Sequence, residues 1–176
     1  MRILGIDPGL QVTGYGLVAA TGARARVVEA GVVRTDEAEP LAERIRTLHE
    51  AVARIVGQLA PEVIAVEELY SHYRHPATAI LMGHARGVVF LAAAQAGVPV
   101  VSYAATRIKK SLTGQGRASK EQVQRMVRSR LGLRQMPRPP DVADALAVAL
   151  CHGNVVARQS RAPGRRDGVP GVSPSP

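Results

Sequence analysis

The stretch Arg2–Gly9, with the sequence RILGIDPG, constrains the fold of this chain more than any other. It is a short apolar run that ends in a carboxylate and a Pro-Gly turn, which is typical of a buried strand stopped by a turn. A carboxylate at the end of a central strand faces the crevice at that edge of an α/β sheet, where ligands usually bind. The alternative is an ordinary turn-forming aspartate before Pro-Gly. The rest of the chain has to decide between these two interpretations.

Hydrophobic periodicity predicts an alternation of strands and helices after this stretch. The predicted strands are Arg2 onwards, Thr13–Ala20, Arg24–Thr35, Val63–Val66 and Val98–Ser102; the predicted helices are Glu39–Leu59, Ala77–Ala96, Thr106–Leu112, Ser119–Leu131 and Asp141–Val156. Ser119 and Gln122 have the spacing of a capping box, and Gly83 and Gly87 imply close packing of the second helix. The order predicts a mixed five-stranded α/β sheet with flanking helices. Strands one to three form an antiparallel meander, and strand one lies beside the strand ending at Val66.

The chain of 176 residues is expected to form one domain, residues 1–156, followed by a disordered tail, residues 157–176, rich in Pro, Gly, Ser and Arg. No apolar run reaches the length that spans a membrane, and the N-terminus does not resemble a signal peptide. The single Cys151 excludes an internal disulfide and a zinc site built on paired cysteines. A cytoplasmic protein without a membrane partner is therefore expected.

The charge balance indicates a polyanionic partner. Lysine and arginine total 23 against 14 acidic residues, a net charge of +9. The tail from Ala157 holds four arginines and one aspartate, so it supplies +3 and leaves +6 in the body of the chain. Such an excess is typical of proteins that bind DNA or RNA, although a basic surface without a dedicated partner is the alternative.

The candidate chemistry lies in four carboxylates. Asp7 and Glu67 each follow an apolar strand, while Asp141 and Asp144 are three residues apart at the start of a helix, hence on one face. Asp141 and Asp144 alone could simply stabilise their helix, because negative charges near its N-terminus interact favourably with the helix dipole. Four acids at one sheet end would repel one another unless a cation joined them, and all-oxygen ligation indicates Mg²⁺ or Mn²⁺. Periodicity cannot choose between Glu67 and Glu68, which lie on opposite faces of their strand.

Five motifs follow one another along the chain: GIDPG at Gly5–Gly9, TGYG at Thr13–Gly16, AVE at Ala65–Glu67, GHARG at Gly83–Gly87 and DVADALA at Asp141–Ala147. Together they resemble the RuvC family of Holliday junction resolvases. The likeness runs from Arg2 to about Val156. It implies an RNase H-like fold, a homodimer, symmetric Mg²⁺-dependent nicking of four-way DNA junctions in recombination and repair, and work alongside the RuvA–RuvB branch-migration complex.

The resemblance also assigns residues. The family's acidic ligands fall on Asp7, Glu67, Asp141 and Asp144, and its DNA-contacting lysines fall on Lys109 and Lys120. Without the resemblance, each lysine could equally be a solvated surface charge. Lys120 begins a predicted helix, where a phosphate would also meet free backbone N–H groups.

The loop after Glu68 departs from the family's pattern. The family's junction-probing aromatic falls on Tyr70, but this loop is one residue longer, so Tyr73 could share or replace that role. Arg74 offers charge for a phosphate, and stacking of a base on a tyrosine ring would be sequence-tolerant. The alternative is that the two tyrosines pack on the loop itself. We therefore predict that Tyr70, Tyr73 and Arg74 contact DNA.

The expected mechanism is hydrolysis assisted by two metal ions, with Asp7 as the shared ligand, Glu67 completing one site, and Asp141 and Asp144 the other. Three rival interpretations remain. An RNase H-like nuclease acting on RNA would usually be shorter and lack the DVADALA ending. An actin-like nucleotide-binding protein would need a second, duplicated domain. A DNA-binding protein without catalysis would not need four acids, because acids repel DNA unless a metal neutralises them.

Overall fold

The computed structural model describes residues 1–22, 24–69 and 76–160. The strands are β1 (Arg2–Asp7), β2 (Val12–Thr21), β3 (Arg24–Arg34), β4 (Val63–Glu67) and β5 (Val100–Tyr103); the helices are α1 (Leu41–Leu59), α2 (Pro76–Gln95), α3 (Ala105–Thr113), α4 (Lys120–Arg130) and α5 (Pro140–Gln159). The predicted strands and helices are all present in the predicted order. The mixed sheet with flanking helices confirms the predicted fold class.

The five strands form one sheet in the order β3-β2-β1-β4-β5. Strand β1 pairs antiparallel with β2 and parallel with β4, so the predicted meander and the central position of β1 are confirmed. Strand β5 begins at Val100 rather than at Val98. Proline has no amide hydrogen to give to a ladder, and Pro99 contributes only its carbonyl, which accepts from the Ile64 amide at 2.9 Å.

The two faces of the sheet carry two separate cores, as strand alternation requires. Ile3 on β1 packs with α3, α4 and α5 on one face. Leu4 and Ile6 pack with α1 and α2 on the other. A side chain at position 7 therefore belongs to the face of Ile3, which is the face covered by α5.

Three glycines allow α5 to lie directly on the sheet. Gly5 of β1 is paired with Gly16 of β2, and Gly14 lies two residues before Gly16 on the same strand. A Cβ atom at Gly5 would collide with the backbone carbonyl of Ala145, and one at Gly14 with the carbonyl of Asp141. The missing side chains thus bring the beginning of α5 down onto the ends of β1 and β2.

Helix α2 corrects two expectations. A Cβ atom at Gly83 or Gly87 would meet no other atom within 4 Å in the described residues, so these glycines do not mark close packing within the chain. Residues Ala77–Gln95 are also long and apolar enough, by length and composition, to cross a membrane, so the expectation that no run reaches this length was wrong. One side of α2 packs on the sheet and α1 through Ala85, Val89 and their buried neighbours.

The C-terminal helices match their sequence signals closely. The Ser119 hydroxyl accepts from the Gln122 amide and the Gln122 side chain accepts from the Ser119 amide, which confirms the capping box of α4. Helix α5 continues to Gln159, three residues past its expected end at Val156, so the predicted end of this helix was too early. The division into a domain and a tail stays a prediction. The remainder of the predicted tail, residues 161–176, lies outside the described residues.

Candidate active site

Asp7 and Glu67 lie side by side at one edge of the sheet. Each is the last residue of its strand, and the parallel pairing of β1 with β4 runs up to Ile6 and Val66, immediately before them. Alternation puts Glu67 on the face of Ala65, which packs with α5, and puts the exposed Glu68 on the other. The structure therefore separates two adjacent glutamates that periodicity alone could not.

Asp141 and Asp144 reach the same edge from the first turns of α5. They are three residues apart, so their side chains lie on neighbouring positions of one helix face. The contact of Gly14 with the backbone of Asp141 holds this end of the helix against the sheet. The four predicted carboxylates thus come from β1, β4 and α5 to one end of the fold.

The carboxylates affect one another electrostatically. Burial, followed by repulsion from Asp144, Glu67 and Asp141, raises the pKa of Asp7 from 3.8 to about 7, although Lys120 acts in the opposite direction. Burial and then Asp144 also raise the pKa of Glu67, while Lys109 and Lys120 oppose that change. Carboxylates whose pKa values are raised by burial and by one another are typical of a site that a cation completes.

Two lysines share a cleft with half of these acids. A cleft of about 220 Å³ is lined by residues of β4, α3, α4 and α5, among them Glu67, Asp144, Lys109 and Lys120. The Lys120 ammonium lies 2.6 Å from the Asp144 carboxylate, and this hydrogen bond is the main cause that raises the pKa of Lys120. Both lysines named from the sequence therefore lie beside the acids.

The donor set fits a hard divalent cation, because every candidate ligand is a carboxylate oxygen and the acids repel one another. Within residues 1–22, 24–69 and 76–160, no three acidic, histidine or cysteine side chains are already arranged to enclose a metal ion. Lys120 is the cation that contacts Asp144 in this arrangement. A metal bound by all four acids would therefore have to draw Asp144 away from the lysine.

The other candidate residues fall in the loop before α2. Tyr70, Tyr73 and Arg74 lie outside the described residues, so the predicted DNA contacts of this loop remain predictions.

Sequence reasoning missed a second cleft beside the acids. About 470 Å³ in volume, it has Asp7 and Asp141 on its wall, with Gln11 and Arg44 nearby. No sequence signal distinguishes Arg44, since it is one of three arginines in the amphipathic helix α1, together with Arg46 and Arg54. Only its place in the fold brings it to the acids.

Comparison with known proteins is consistent with this arrangement. The family model described as "Crossover junction endodeoxyribonuclease RuvC" matches residues 3–152. The RuvC protein of Rhodopirellula baltica is 51% identical over 149 residues, which cover 85% of this chain and 84% of the relative. That of Moorella thermoacetica is 46% identical over 161 residues, covering 92% of this chain and 96% of the relative.

Solved structures give the same result. The structure of Thermus thermophilus RuvC superposes with a TM-score of 0.84 at 42% identity and covers 90% of this chain and 97% of its own. T. thermophilus RuvC in complex with a Holliday junction substrate superposes with a TM-score of 0.82 at 41% identity, covering 90% of this chain and 96% of its own.

Proposed function

Because this chain belongs to the RuvC family of crossover junction endodeoxyribonucleases and is a Holliday junction resolvase, we propose that Asp7, Glu67, Asp141 and Asp144 are its catalytic metal ligands. The observation that carries the assignment is that β1, β4 and α5 bring these four carboxylates to one end of the sheet, where burial and the three other acids raise the pKa of Asp7 to about 7. Such mutual repulsion at a sheet edge is relieved by divalent cations. We propose Mg²⁺, with Mn²⁺ as a substitute and two ions per site.

The reaction hydrolyses a phosphodiester bond. Bound cations would supply activation of the attacking water and neutralisation of charge on the leaving oxygen. The water oxygen bonds to phosphorus while the bond to the 3′ oxygen breaks, and that oxygen takes up a proton. The products are a 5′-phosphate and a 3′-hydroxyl that a ligase can rejoin.

The chain's own residues position the DNA. Lys109 and Lys120 line the cleft of Glu67 and Asp144, where their charges face the phosphates of a strand lying over the acids. Departure of Lys120 from Asp144 would free the carboxylate for the cation and the ammonium for a phosphate. Tyr70 and Tyr73 are proposed to stack on unpaired bases at the crossover, with Arg74 on a phosphate, because bases unstack most cheaply there.

A homodimer would supply two active sites for symmetric nicking, since a two-fold axis relates the two opposing strands of a junction. Helix α2 offers a surface for it. Ile80 and Leu91 are 62% and 52% exposed, and the exposed residues Ile80, His84, Gly87, Leu91 and Ala94 recur at helical spacing as one stripe. Small residues in the stripe would let a second copy approach closely. The proposal thus covers these apolar side chains with protein rather than with lipid.

The cellular setting follows from this activity. We propose that the protein acts in the cytoplasm in recombination and DNA repair, alongside the RuvA–RuvB branch-migration complex. A further cleft of about 530 Å³ lined by Arg107, Lys110 and Arg158 adds to the basic surface that faces a polyanion.

The test is a nuclease assay on a four-way junction with Mg²⁺ or with EDTA, using linear duplexes of the arm sequences as the comparison substrate. Paired nicks at symmetric positions, dependent on Mg²⁺ and closed by ligase alone, are the expected result. Asp7→Asn and Asp141→Asn should lose cleavage at least a hundredfold while still binding the junction. Glu68→Gln, on the opposite face, should cleave normally; near-normal cleavage by Asp7→Asn would disprove the ligand assignment.

A further inference from the structure

The cleft of Asp7 and Asp141 contains a guanidinium that the proposed mechanism does not use. The cleft lies between the turn after β1, the beginning of α1 and the beginning of α2. Among the described residues that line it, Arg44 is the only cation, while Asp7, Asp141 and Glu37 are acidic. A cation in this place lowers the cost of bringing a phosphate to the acids.

The arginine side chain is held in place from the sheet. Its Nε donates to the Thr35 hydroxyl at 3.1 Å, and that hydroxyl in turn donates to the Leu10 carbonyl at 2.6 Å. Thr35 is only 9% exposed, and its amide donates to the carbonyl of Gln11 at 3.1 Å. The chain of bonds thus links Arg44 to the turn that follows Asp7.

Among the described residues, no partner takes up the terminal nitrogens of this guanidinium. The ion pairs of the described residues join Met1 to Glu62, Arg46 to Glu43 and Glu50, and Lys120 to Asp144. Across the same residues, the one side-chain hydrogen bond that Arg44 donates comes from Nε. A guanidinium held by Nε presents its two terminal nitrogens as a fork that matches two oxygens of a phosphate.

We propose that Arg44 binds a backbone phosphate of the cleaved strand next to the scissile phosphate. Lys109 and Lys120 lie in the cleft that holds Glu67 and Asp144, whereas Arg44 lies in the cleft that holds Asp7 and Asp141. A strand that crosses the acids from one cleft to the other meets the lysines on one side of the cut and the arginine on the other. This inference rests on the proposed function, because it requires DNA over the acids.

The first measurement is junction binding in EDTA, so that no cleavage occurs. Arg44→Ala should bind about tenfold more weakly than wild type, the usual scale for a charge-assisted bidentate contact. The magnitude of the slope of the logarithm of its binding constant against the logarithm of the salt concentration should fall by about one. Arg46→Ala is the matched control, because Arg46 is an exposed arginine of the same helix already paired with Glu43 and Glu50; it should bind within about twofold of wild type.

The deciding measurement replaces single phosphates by neutral methylphosphonates around a cut site mapped with the wild-type protein. For wild type, a methylphosphonate at one phosphate adjacent to the cut should lower the affinity about tenfold. For Arg44→Ala, the same methylphosphonate should cause no further loss of affinity, while methylphosphonates at other contacted phosphates should still weaken binding as they do for wild type. Additive losses at every position, or wild-type affinity of Arg44→Ala, would overturn the inference.

Two further variants separate phosphate contact from folding. Arg44→Lys keeps the charge without the fork, and should recover part of the affinity and the sensitivity at the same phosphate. Thr35→Val removes the anchor while keeping the guanidinium, so it should weaken binding less than Arg44→Ala. A structural role alone would change melting temperature without any effect specific to one phosphate, and that result would also overturn the inference. If wild type failed to cleave junctions at all, the proposed function would fail first.

Discussion

The partly buried carboxylate of Asp7 gives a stability prediction that does not depend on catalysis. Asp7→Asn should raise the free energy of unfolding of the metal-free protein at about pH 8, where the wild-type carboxylate must ionise beside three other acids. Asparagine has nearly the shape of the protonated aspartate and carries no charge. The substitution that we propose abolishes cleavage is therefore expected to stabilise the metal-free protein.

The pKa shift sets both the sign and an upper limit. The pKa of Asp7 is 3.8 in its ordinary state and about 7 in the folded protein. Between these values the folded state binds more protons than the unfolded state, so stability falls as the pH rises from about 4 to about 7. A difference of about three pKa units corresponds to about 4 kcal/mol, and solvent relaxation around the partly exposed site makes about half of this a realistic expectation.

The assay is urea unfolding of wild type, Asp7→Asn and Glu68→Gln in EDTA at several values between about pH 4 and pH 8. The difference in free energy of unfolding between Asp7→Asn and wild type should be absent at about pH 4, grow as the pH rises and level off above about pH 7. Glu68→Gln removes an exposed carboxylate from the opposite face and should show no such development. Added Mn²⁺ should stabilise wild type more than Asp7→Asn. Equal unfolding midpoints for wild type and Asp7→Asn at about pH 8 would refute the reasoning.

Two more predictions test the packing and the assembly. Gly5→Ala should lower the free energy of unfolding by about 3 kcal/mol, because its Cβ would strike the Ala145 carbonyl. Gly57→Ala in α1, whose Cβ would meet no described atom within 4 Å, should raise the free energy of unfolding by about 1 kcal/mol. Thermal melts compare the two variants, and an unchanged melting temperature for Gly5→Ala would contradict the role given to this contact. Leu91→Glu should convert the proposed dimer to monomers in sedimentation analysis without a change in melting temperature. Glu50→Gln on α1 is the control and should stay dimeric. A Leu91→Glu protein that stays dimeric would place the interface elsewhere.

Much of the fold follows from local patterns. The strand ending at Asp7, the amphipathic helix ending at Leu59 and the capping box at Ser119 each depend on neighbours in sequence, so periodicity and turn chemistry locate them. The predicted positions are wrong at the beginning of β5 and at the end of α5. Pro99 delays β5 because it cannot donate to the ladder, and α5 passes residue 156 because a helix can continue over polar residues once its apolar face is packed.

The candidate site was only partly predictable. Strand ends and helical spacing indicated the acids, and the family resemblance assigned Glu67 and the two lysines, but neither showed which glutamate faces the helix. That choice came from the pairing of β4 with β1, which puts Glu67 on the face of Gly5 and Ala65. Gly83 and Gly87 show the opposite limit, since small residues signal a close approach without saying whether the partner lies in the same chain.

By itself, the sequence determined the order and kind of elements, the basic charge and the residues able to hold a cation, because these depend on composition and on short-range spacing. Tertiary structure alone decided what those residues experience. The glycines at 5 and 14 matter because α5 crosses the sheet directly over them. Asp7 has a pKa near 7 because burial and three acids far from it in sequence act on it together. Arg44 lies beside the acids because its side chain is held by Thr35. Such effects depend on distances between residues far apart in the chain, and only folding sets those distances.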